Sequence, residues 1–522
     1  MIHFVPSWYN PTRRWYATDN AWFHSSAGTE ADDTVTRVRI FRQGDEDARL
    51  VVLNYAPSLR RFLHSHNILD VPYWSFFDEL QGLEDDYTRP IDFLELEWPD
   101  DVSFFYNPFL VTVMRGAEVY ARVHLARAGT LQSIRYYGDG MPTVERIYDD
   151  RGFPSSVLMH DEAGRPMTQY YLSREGDVIL SEDVPSGRID IVQATDERIQ
   201  QQSYDSWESL MAEFLGGYLQ ERSGLGDTVV LAVAEQHNDL VASCLGDQML
   251  VLSRSAARPA PASSDLLARA EAVFSDFGQP QEGGGRRAAA WELLPTLSIY
   301  PLEQRASFGA SANESTVYIS LLADDIAPEE LDFAIATMAT QLVDDSTRLL
   351  VCTFRRHDVE HLRALRGVIS GYQHLDLAFL ESDETTRLSV DVGIAEGPEE
   401  KIQLTFVDRE SDLIRTMART RVLVDLGARP DIRLAAAAVD AGVPQINRAE
   451  QELVTHTING FVIGDDAELG TAVDYFLSGL EHWNRSLVQC RVLEDLFSAP
   501  EVLTRWELIK EVAAYARPAD RP

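Results

Sequence analysis

A run of aromatic residues opens the chain: Trp8, Tyr9, Trp15, Tyr16, Trp22 and Phe23, with the amide of Asn10 among them. Aromatic faces stack on sugar rings, and they also pack against protein. The residue types fit either use, and packing against a second domain or a partner is the expectation. His237 follows an apolar stretch, in Glu235-Gln236-His237-Asn238-Asp239. A histidine in that setting can supply an acceptor-side hydrogen bond in group transfer. That role needs a donor site, so an ordinary loop histidine is expected. Asp149-Asp150-Arg151-Gly152 sets two carboxylates in a turn. Two are too few for calcium, and local pairing with Arg151 is expected. Asp85-Asp86, Asp324-Asp325 and Asp344-Asp345 read as solvated loop charge. Ser25-Ser26, Ser155-Ser156 and Gly309-Ala310-Ser311 lack a G-x-S-x-G elbow, which gives serine hydrolysis no support. No His/Cys cluster has metal spacing. The reading therefore names no catalytic residue, no metal and no cofactor. Trp483, in His482-Trp483-Asn484, fits an anchor that locks domains together, or a partner contact.

The elements that must position these residues begin with an α/β layer. Strands are expected at Ile2–Val5, stopped by Pro6, and at Leu50–Leu53, with a helix at Ser58–Ser65. Val71–Gly82 is aromatic and packs on that layer. From Val102 to about Val192 the sequence alternates and turns every ten to fifteen residues, for example at Gly138-Asp139-Gly140 and Glu162-Ala163-Gly164-Arg165. That texture predicts an antiparallel sheet of hairpins. A helix at Ser206–Glu221 and strands at Thr228–Val233 and Gln248–Leu252 return to α/β, so the hairpins read as an insertion. Loops at Ala256–Ser264 and Gln279–Gly285 lead to a boundary near Leu294-Pro295. Beyond it, strands at Thr316–Leu322, Arg348–Phe354, Arg387–Val392, Lys401–Phe406, Arg421–Asp425 and Pro444–Ile446 alternate with helices, which predicts a parallel doubly wound sheet. The expected division is 1–98 and 201–294 for a first Rossmann-like domain, 99–200 for the inserted β domain, 295–480 for a second Rossmann-like domain, and 481–522 for helices crossing back.

The 522 residues exceed one hydrophobic core. The formal charge of −37 repels phosphate and excludes non-specific nucleic-acid binding. It also disfavours anionic lipid. Peripheral membrane contact would need a local basic face, and the basic doublets are Arg13-Arg14, Arg60-Arg61, Arg286-Arg287 and Arg355-Arg356. The 3 cysteines form no CxxC pair. No basic, apolar leader and no stretch of eighteen apolar residues is present, so a cytoplasmic protein is expected.

The stretch from Thr420 to Ile463 resembles the nucleotide-sugar half of two-Rossmann (GT-B) glycosyltransferases. Asp440-Ala441-Gly442-Val443-Pro444 and Asn459-Gly460 are similar to that family's motifs. Retaining members carry two glutamates eight positions apart; the matching positions here are Arg429 and Ala437, which cannot accept hydrogen bonds from ribose. No glycine-rich loop follows the first strand, where Pro6-Ser7-Trp8-Tyr9-Asn10 stands. A narrower resemblance spans most of the chain. Phe4-Val5-Pro6-Ser7-Trp8-Tyr9-Asn10, Arg14-Trp15-Tyr16, Tyr148-Asp149-Asp150-Arg151-Gly152-Phe153-Pro154-Ser155-Ser156, Val424-Asp425-Leu426-Gly427, Gly442-Val443-Pro444-Gln445-Ile446-Asn447 and His482-Trp483-Asn484 are similar to the family of the first accessory secretory protein of the bacterial accessory Sec system. The resemblance implies a degenerate GT-B frame with an inserted β-sheet domain. It also implies a cytosolic complex, in Gram-positive bacteria, with the second and third accessory secretory proteins. That complex would deliver serine-rich repeat glycoprotein adhesins, modified with N-acetylglucosamine, to the accessory Sec motor ATPase. The alternative is an active glycosyltransferase of the same fold acting on the adhesin.

Overall fold

The computed structural model describes residues 1–10, 13–17, 32–83, 87–107, 110–126, 129–222, 226–255, 262–275, 308–344, 346–356, 358–372, 401–407 and 410–516. The strand expected at Arg387–Val392, the Gln279–Gly285 loop, Asp85, Asp86 and Asp345 lie outside them.

The first sheet has six parallel strands in the spatial order Ala272–Ser275, Met249–Arg254, Thr228–Ala232, Ile2–Val5, Ala48–Val52 and Tyr73–Ser75. Strands buried on both faces need continuous apolar runs, which Ile2–Val5 and Thr228–Ala232 supply. Alternate residues feed two apolar cores. Val5, Val229 and Leu231 join one, and Phe4, Val230 and Val251 join the other. A parallel crossover from Ile2–Val5 to Ala48–Val52 requires a helix, and Asp33–Gln43 provides it, capped by the Asp32 carboxylate on the Thr34 and Val35 amides. Local periodicity does not predict this helix. Arg37, Arg39 and Arg42 interrupt its apolar period, and Arg37 is a core residue because its guanidinium meets Asp33 one turn earlier and Ser253 Oγ across the fold.

Between Tyr73–Ser75 and Thr228–Ala232, ten antiparallel strands run in sequence order from Val102–Tyr106 to Ser203–Tyr204. Asp139 and Gly140 turn the hairpin between Leu131–Gly138 and Met141–Asp149 with φ of 50° and 77°, the left-handed pair that a tight hairpin needs. The next turn, Asp150 to Gly152, is buried under the first α/β unit. Arg60, on the helix Leu59–Ser65, reaches Asp150 at 2.5 Å, Asp78 at 2.8 Å and Asp149 at 3.3 Å. Arg151 reaches Asp149 and Asp78, each at 2.8 Å. Arg151 therefore pairs locally, as expected, but it also bridges to the helix Phe76–Leu80. Gly152 has φ +88°, and a Cβ there would sit 2.6 Å from the Arg89 carbonyl.

The second sheet has six parallel strands in the order Ile402–Phe406, Thr347–Thr353, Val317–Leu322, Thr420–Asp425, Gln445–Asn447 and Gly460–Val462. The helix Leu480–Leu496 packs Cys490 and Leu493 on Ala435, Ala436 and Val439 of the second unit. The last helix, Ala499–Ala516, lies on the first: Trp506 is fully buried, 4.9 Å from the Phe41 ring and 5.4 Å from Phe274.

Removing one cation from a buried charge cluster leaves carboxylates uncompensated, at a cost of roughly 3–5 kcal/mol. Arg60→Met is expected to lower the urea midpoint accordingly, and Asp150→Asn on top of it to recover part of the loss. Equal midpoints for wild type and Arg60→Met would show that the cluster does not hold the sheet.

Candidate functional site

Open α/β sheets bind ligands beyond the carboxyl ends of their strands, so the two strand-end rims form the candidate site. On the first rim, Pro6 ends the opening strand and the chain folds into a short hairpin, Tyr9–Asn10 against Arg13–Ala17. Trp8 is buried against Phe62, with ring centroids 4.6 Å apart, and its carbonyl accepts from Asn54 Nδ2 at 2.6 Å. Tyr9 meets Trp15 and His237 edge-on, at 5.5 and 5.3 Å. His237 Nε2 lies 2.7 Å from the Ala232 carbonyl, which can only accept. The ring therefore carries a proton on Nε2, an assignment made from the network. Its Nδ1 accepts from the Tyr9 hydroxyl at 2.6 Å, and burial holds that phenol proton well above its usual range.

His237 lies in the turn before the helix Asn238–Cys244, as a loop residue, but it is not an ordinary exposed one. It is completely buried, and both ring nitrogens serve the rim itself. Trp15 is buried beside it, while Asn10 and Tyr16 are half-buried. The Arg13 guanidinium lies 3.7 Å over Tyr16 and bonds Glu182 at 3.0 Å. Trp22 and Phe23 lie outside the described residues.

On the second rim, Asp324 is buried rather than solvated. Its carboxylate accepts from Thr353 Oγ1 at 2.6 Å and the Phe354 amide at 2.8 Å, and lies 3.0 Å from His361 Nε2. Asp325 bonds Arg355 at 2.5 Å. Asp431 caps the helix Ile432–Ala441 and pairs with Arg433, whose guanidinium lies 3.9 Å over Phe354. Arg448 sits between Asp466 at 2.8 Å and Glu330 at 3.2 Å. Arg429 is exposed on the loop after Thr420–Asp425, and Ala437 is half-buried beside the apolar cluster of Tyr318 and Leu322. Arg355, Arg433 and Arg448 are each matched by a carboxylate, so a phosphate arriving here would compete with one. The motif glycines serve packing. Gly442 closes its helix at φ +73° with Leu487 against it. A Cβ on Gly460 would overlap the Gln445 carbonyl.

Trp483 is buried on the second unit, with the Arg421 guanidinium 4.6 Å over its ring. Trp506 is the tryptophan that reaches the first sheet, which corrects the expectation that Trp483 locks the domains. Sequence reasoning also missed the roles of Arg60 and Asp78. Nothing local marks them, because their partners lie 18 to 90 positions away in chain order. Among the described residues, no group of three His, Cys, Asp or Glu is placed to hold a metal, and no helix is long and apolar enough to cross a membrane.

Two Rossmann-like units with an antiparallel sheet inserted in the first define a GT-B-like protein. The pneumococcal O-GlcNAc transferase GtfA, solved in complex with UDP and GlcNAc, shares this fold at 12% identity, with a TM-score of 0.64 over 98% of this chain and 99% of that one. The sequence matches the family of accessory secretory protein 1 of the accessory Sec system over residues 1–512, and the chain belongs to that family. The accessory Sec system relative from Staphylococcus aureus (strain NCTC 8325 / PS 47) is 26% identical over 521 residues, 98% of this chain and 99% of that protein. The relative from Streptococcus gordonii is 27% identical over 524 residues, 97% and 98% of the two. A chain in the crystal structure of accessory secretory protein 1, 2 and 3 in Streptococcus pneumoniae superposes with a TM-score of 0.77 at 26% identity, over 99% of this chain and 100% of that one. A chain of the Glycosylation Associate Protein (Gap123) complex from Streptococcus agalactiae gives 0.76 at 26%, over 97% and 99%.

Asp425 reports the dryness of the second rim. Burial pushes its carboxyl up to about 6 from 3.8, against the opposing pull of the Asp431 and Gly427 amides. A folded value above the unfolded one means that the native state holds an extra proton between the two. The associated stability is present below the unfolded value and lost as pH rises through the folded one. Relative to Asp425→Asn, the wild type is expected to lose up to roughly 3 kcal/mol of unfolding free energy between pH 4 and 7. Parallel pH profiles would contradict the burial.

Proposed function

We propose that this chain is a non-catalytic component of an accessory Sec system. It joins the second and third accessory secretory proteins in a cytosolic complex. The complex supports export of serine-rich repeat glycoprotein adhesins, bearing N-acetylglucosamine, toward the accessory Sec motor ATPase. Family membership and the solved assemblies of similar chains support the complex. The observation that carries the non-catalytic reading is that the rim side chains best suited to donor chemistry are engaged within the protein. His237 is held by Tyr9 and the Ala232 carbonyl. Arg355 and Arg433 are held by carboxylates. Arg429 and Ala437 stand where ribose-binding glutamates would be needed. Catalysis requires donors aimed at charge that develops in the substrate, and donors already bonded within the protein are not available for it.

The aromatic run at Trp8, Tyr9, Trp15 and Tyr16 then acts as scaffold packing, with Asn10 and Tyr16 as its half-buried margin toward a bound partner or sugar. The basic doublets offer little to a lipid surface. Arg13 pairs with Glu182, Arg14 with Glu208, and Arg60 is interior.

Co-expressed with the second and third accessory secretory proteins, the chain is expected to co-elute with both. Supplied with UDP-N-acetylglucosamine and an adhesin repeat fragment, the purified complex is expected to release no UDP above background. Release of UDP that depends on this chain would establish the enzyme instead.

A further inference from the structure

The inserted ten-stranded sheet has two edges, and they are treated differently. At one end Ser203–Tyr204 is two residues long, and Tyr204 is buried in the main core against the following helix. At the other end Val102–Tyr106 runs five residues in unbroken register with Val111–Arg115. It contains no proline, lysine or bulge, the usual devices that keep an edge from pairing.

The hydrogen-bond phase of this edge follows from its turn. The Asn107 amide donates to the Leu110 carbonyl, so Tyr106 and Val111 form a non-hydrogen-bonded pair and Phe105 and Thr112 a bonded one. The N–H and C=O of Phe104 and Tyr106 therefore point away from the sheet, and no described strand lies on that side. Beside them, Phe105 is 58% exposed and Tyr106 65%. The segment Phe93 to Trp98 runs along the same strand: Phe93 lies 6.0 Å from Phe104 and 6.5 Å from Tyr106, and Trp98 lies 5.5 Å from Phe104. That segment and the strand entry carry exposed Asp92, Glu95, Glu97, Asp100 and Asp101, and Arg115 is the cation paired there, with Asp101.

We propose that Val102–Tyr106 is a docking edge that takes up an extended segment of another protein by β-strand addition, and that this segment alternates apolar and basic residues. The outward backbone groups select an extended chain. Tyr106, on the same face as Phe104, selects apolar side chains at alternate positions, while Phe105 lies on the opposite face. The carboxylate shoulder selects positive charge, and it disfavours a second copy of this chain, which would bring the same carboxylates into opposition. The inference does not depend on the export reading.

The test uses the full chain and a fluorescein-labelled peptide alternating valine and lysine. Saturable binding by anisotropy is expected, with slowed hydrogen exchange at the Phe104 and Tyr106 amides. Tyr106→Pro removes one outward N–H and keeps the inner ladder, because proline is tolerated where the amide faces outward. It is expected to weaken binding roughly tenfold or more. Tyr106→Ala, which removes only the ring, is expected to weaken it less. A valine–glutamate peptide is expected not to compete. Absence of binding, unchanged affinity in Tyr106→Pro with exchange protection on another strand, or equal competition by the acidic peptide would each overturn the proposal. A concentration-dependent dimer abolished by Tyr106→Pro would replace it with self-pairing. The exchange measurement on the wild type decides the matter even if a variant does not fold.

Discussion

A buried ionic cluster joins the inserted sheet to the rest of the molecule. Arg60 and Arg151 lie among Asp78, Asp149 and Asp150, all at the turn between two central hairpin strands. Two guanidinium forks fix directions as well as distances. Asp150 also accepts the Arg61 amide at the start of the helix Leu59–Ser65, and its own amide bonds the Pro57 carbonyl. Burial and the neighbouring Asp149 push the Asp150 carboxyl upward, although Arg60 opposes them. Burial also works against Asp149, but Arg60 and Arg151 hold its carboxyl low. Charge buried this deeply adds little net stability and penalises every other arrangement. Its effect here is geometric: a ten-stranded sheet is held at one place and in one orientation.

Around that point the contacts become polar, then aromatic. The Tyr55 hydroxyl bonds Ser156, Gln169 bonds the same serine, and Gln81 bonds the Ser155 and Leu172 carbonyls. Beyond them Phe77, Tyr171 and Trp207 stack within about 5.6 Å of one another. The Ser155-Ser156 pair thus lies at the joint between sheet and α/β unit, its hydroxyls bonded within it. The far strands of the same sheet have a separate small core under Phe93, Leu96 and Trp98. The sheet is gripped at one end and presents its other edge outward, an arrangement suited to a docking arm.

The rims of the two α/β units show which parts of a GT-B-like frame packing alone requires. The backbone of the second unit still needs Gly442 and Gly460, because a side chain at either would meet Leu487 or the Gln445 carbonyl. Those glycines persist for packing, whatever the fate of a ligand. Several rim side chains are turned to partners within the protein: Asp324 to Thr353 and His361, Arg433 to Asp431 and Phe354, His237 to Tyr9.

Much of the frame was legible without coordinates. Continuous apolar runs such as Thr228–Ala232 can only be buried strands, left-handed turn residues such as Asp139-Gly140 mark hairpins, and alternating strands and helices make parallel sheets. The proposed absence of donor chemistry also rests on sequence, since Arg429 and Ala437 offer no side-chain acceptor to a ribose hydroxyl. Local periodicity did not reveal the helix Asp33–Gln43, the interior place of Arg60 and Asp324, the two engaged nitrogens of His237, or the crossing by Trp506 rather than Trp483. Each depends on a partner distant in the chain, and a charged or polar residue has no fixed preference for inside or outside until that partner is present. Sequence determined the elements and the residue types that stand at the motif positions. Tertiary structure decided which polar groups are interior, because burial of a charge is favourable only where its counter-charge has already been placed.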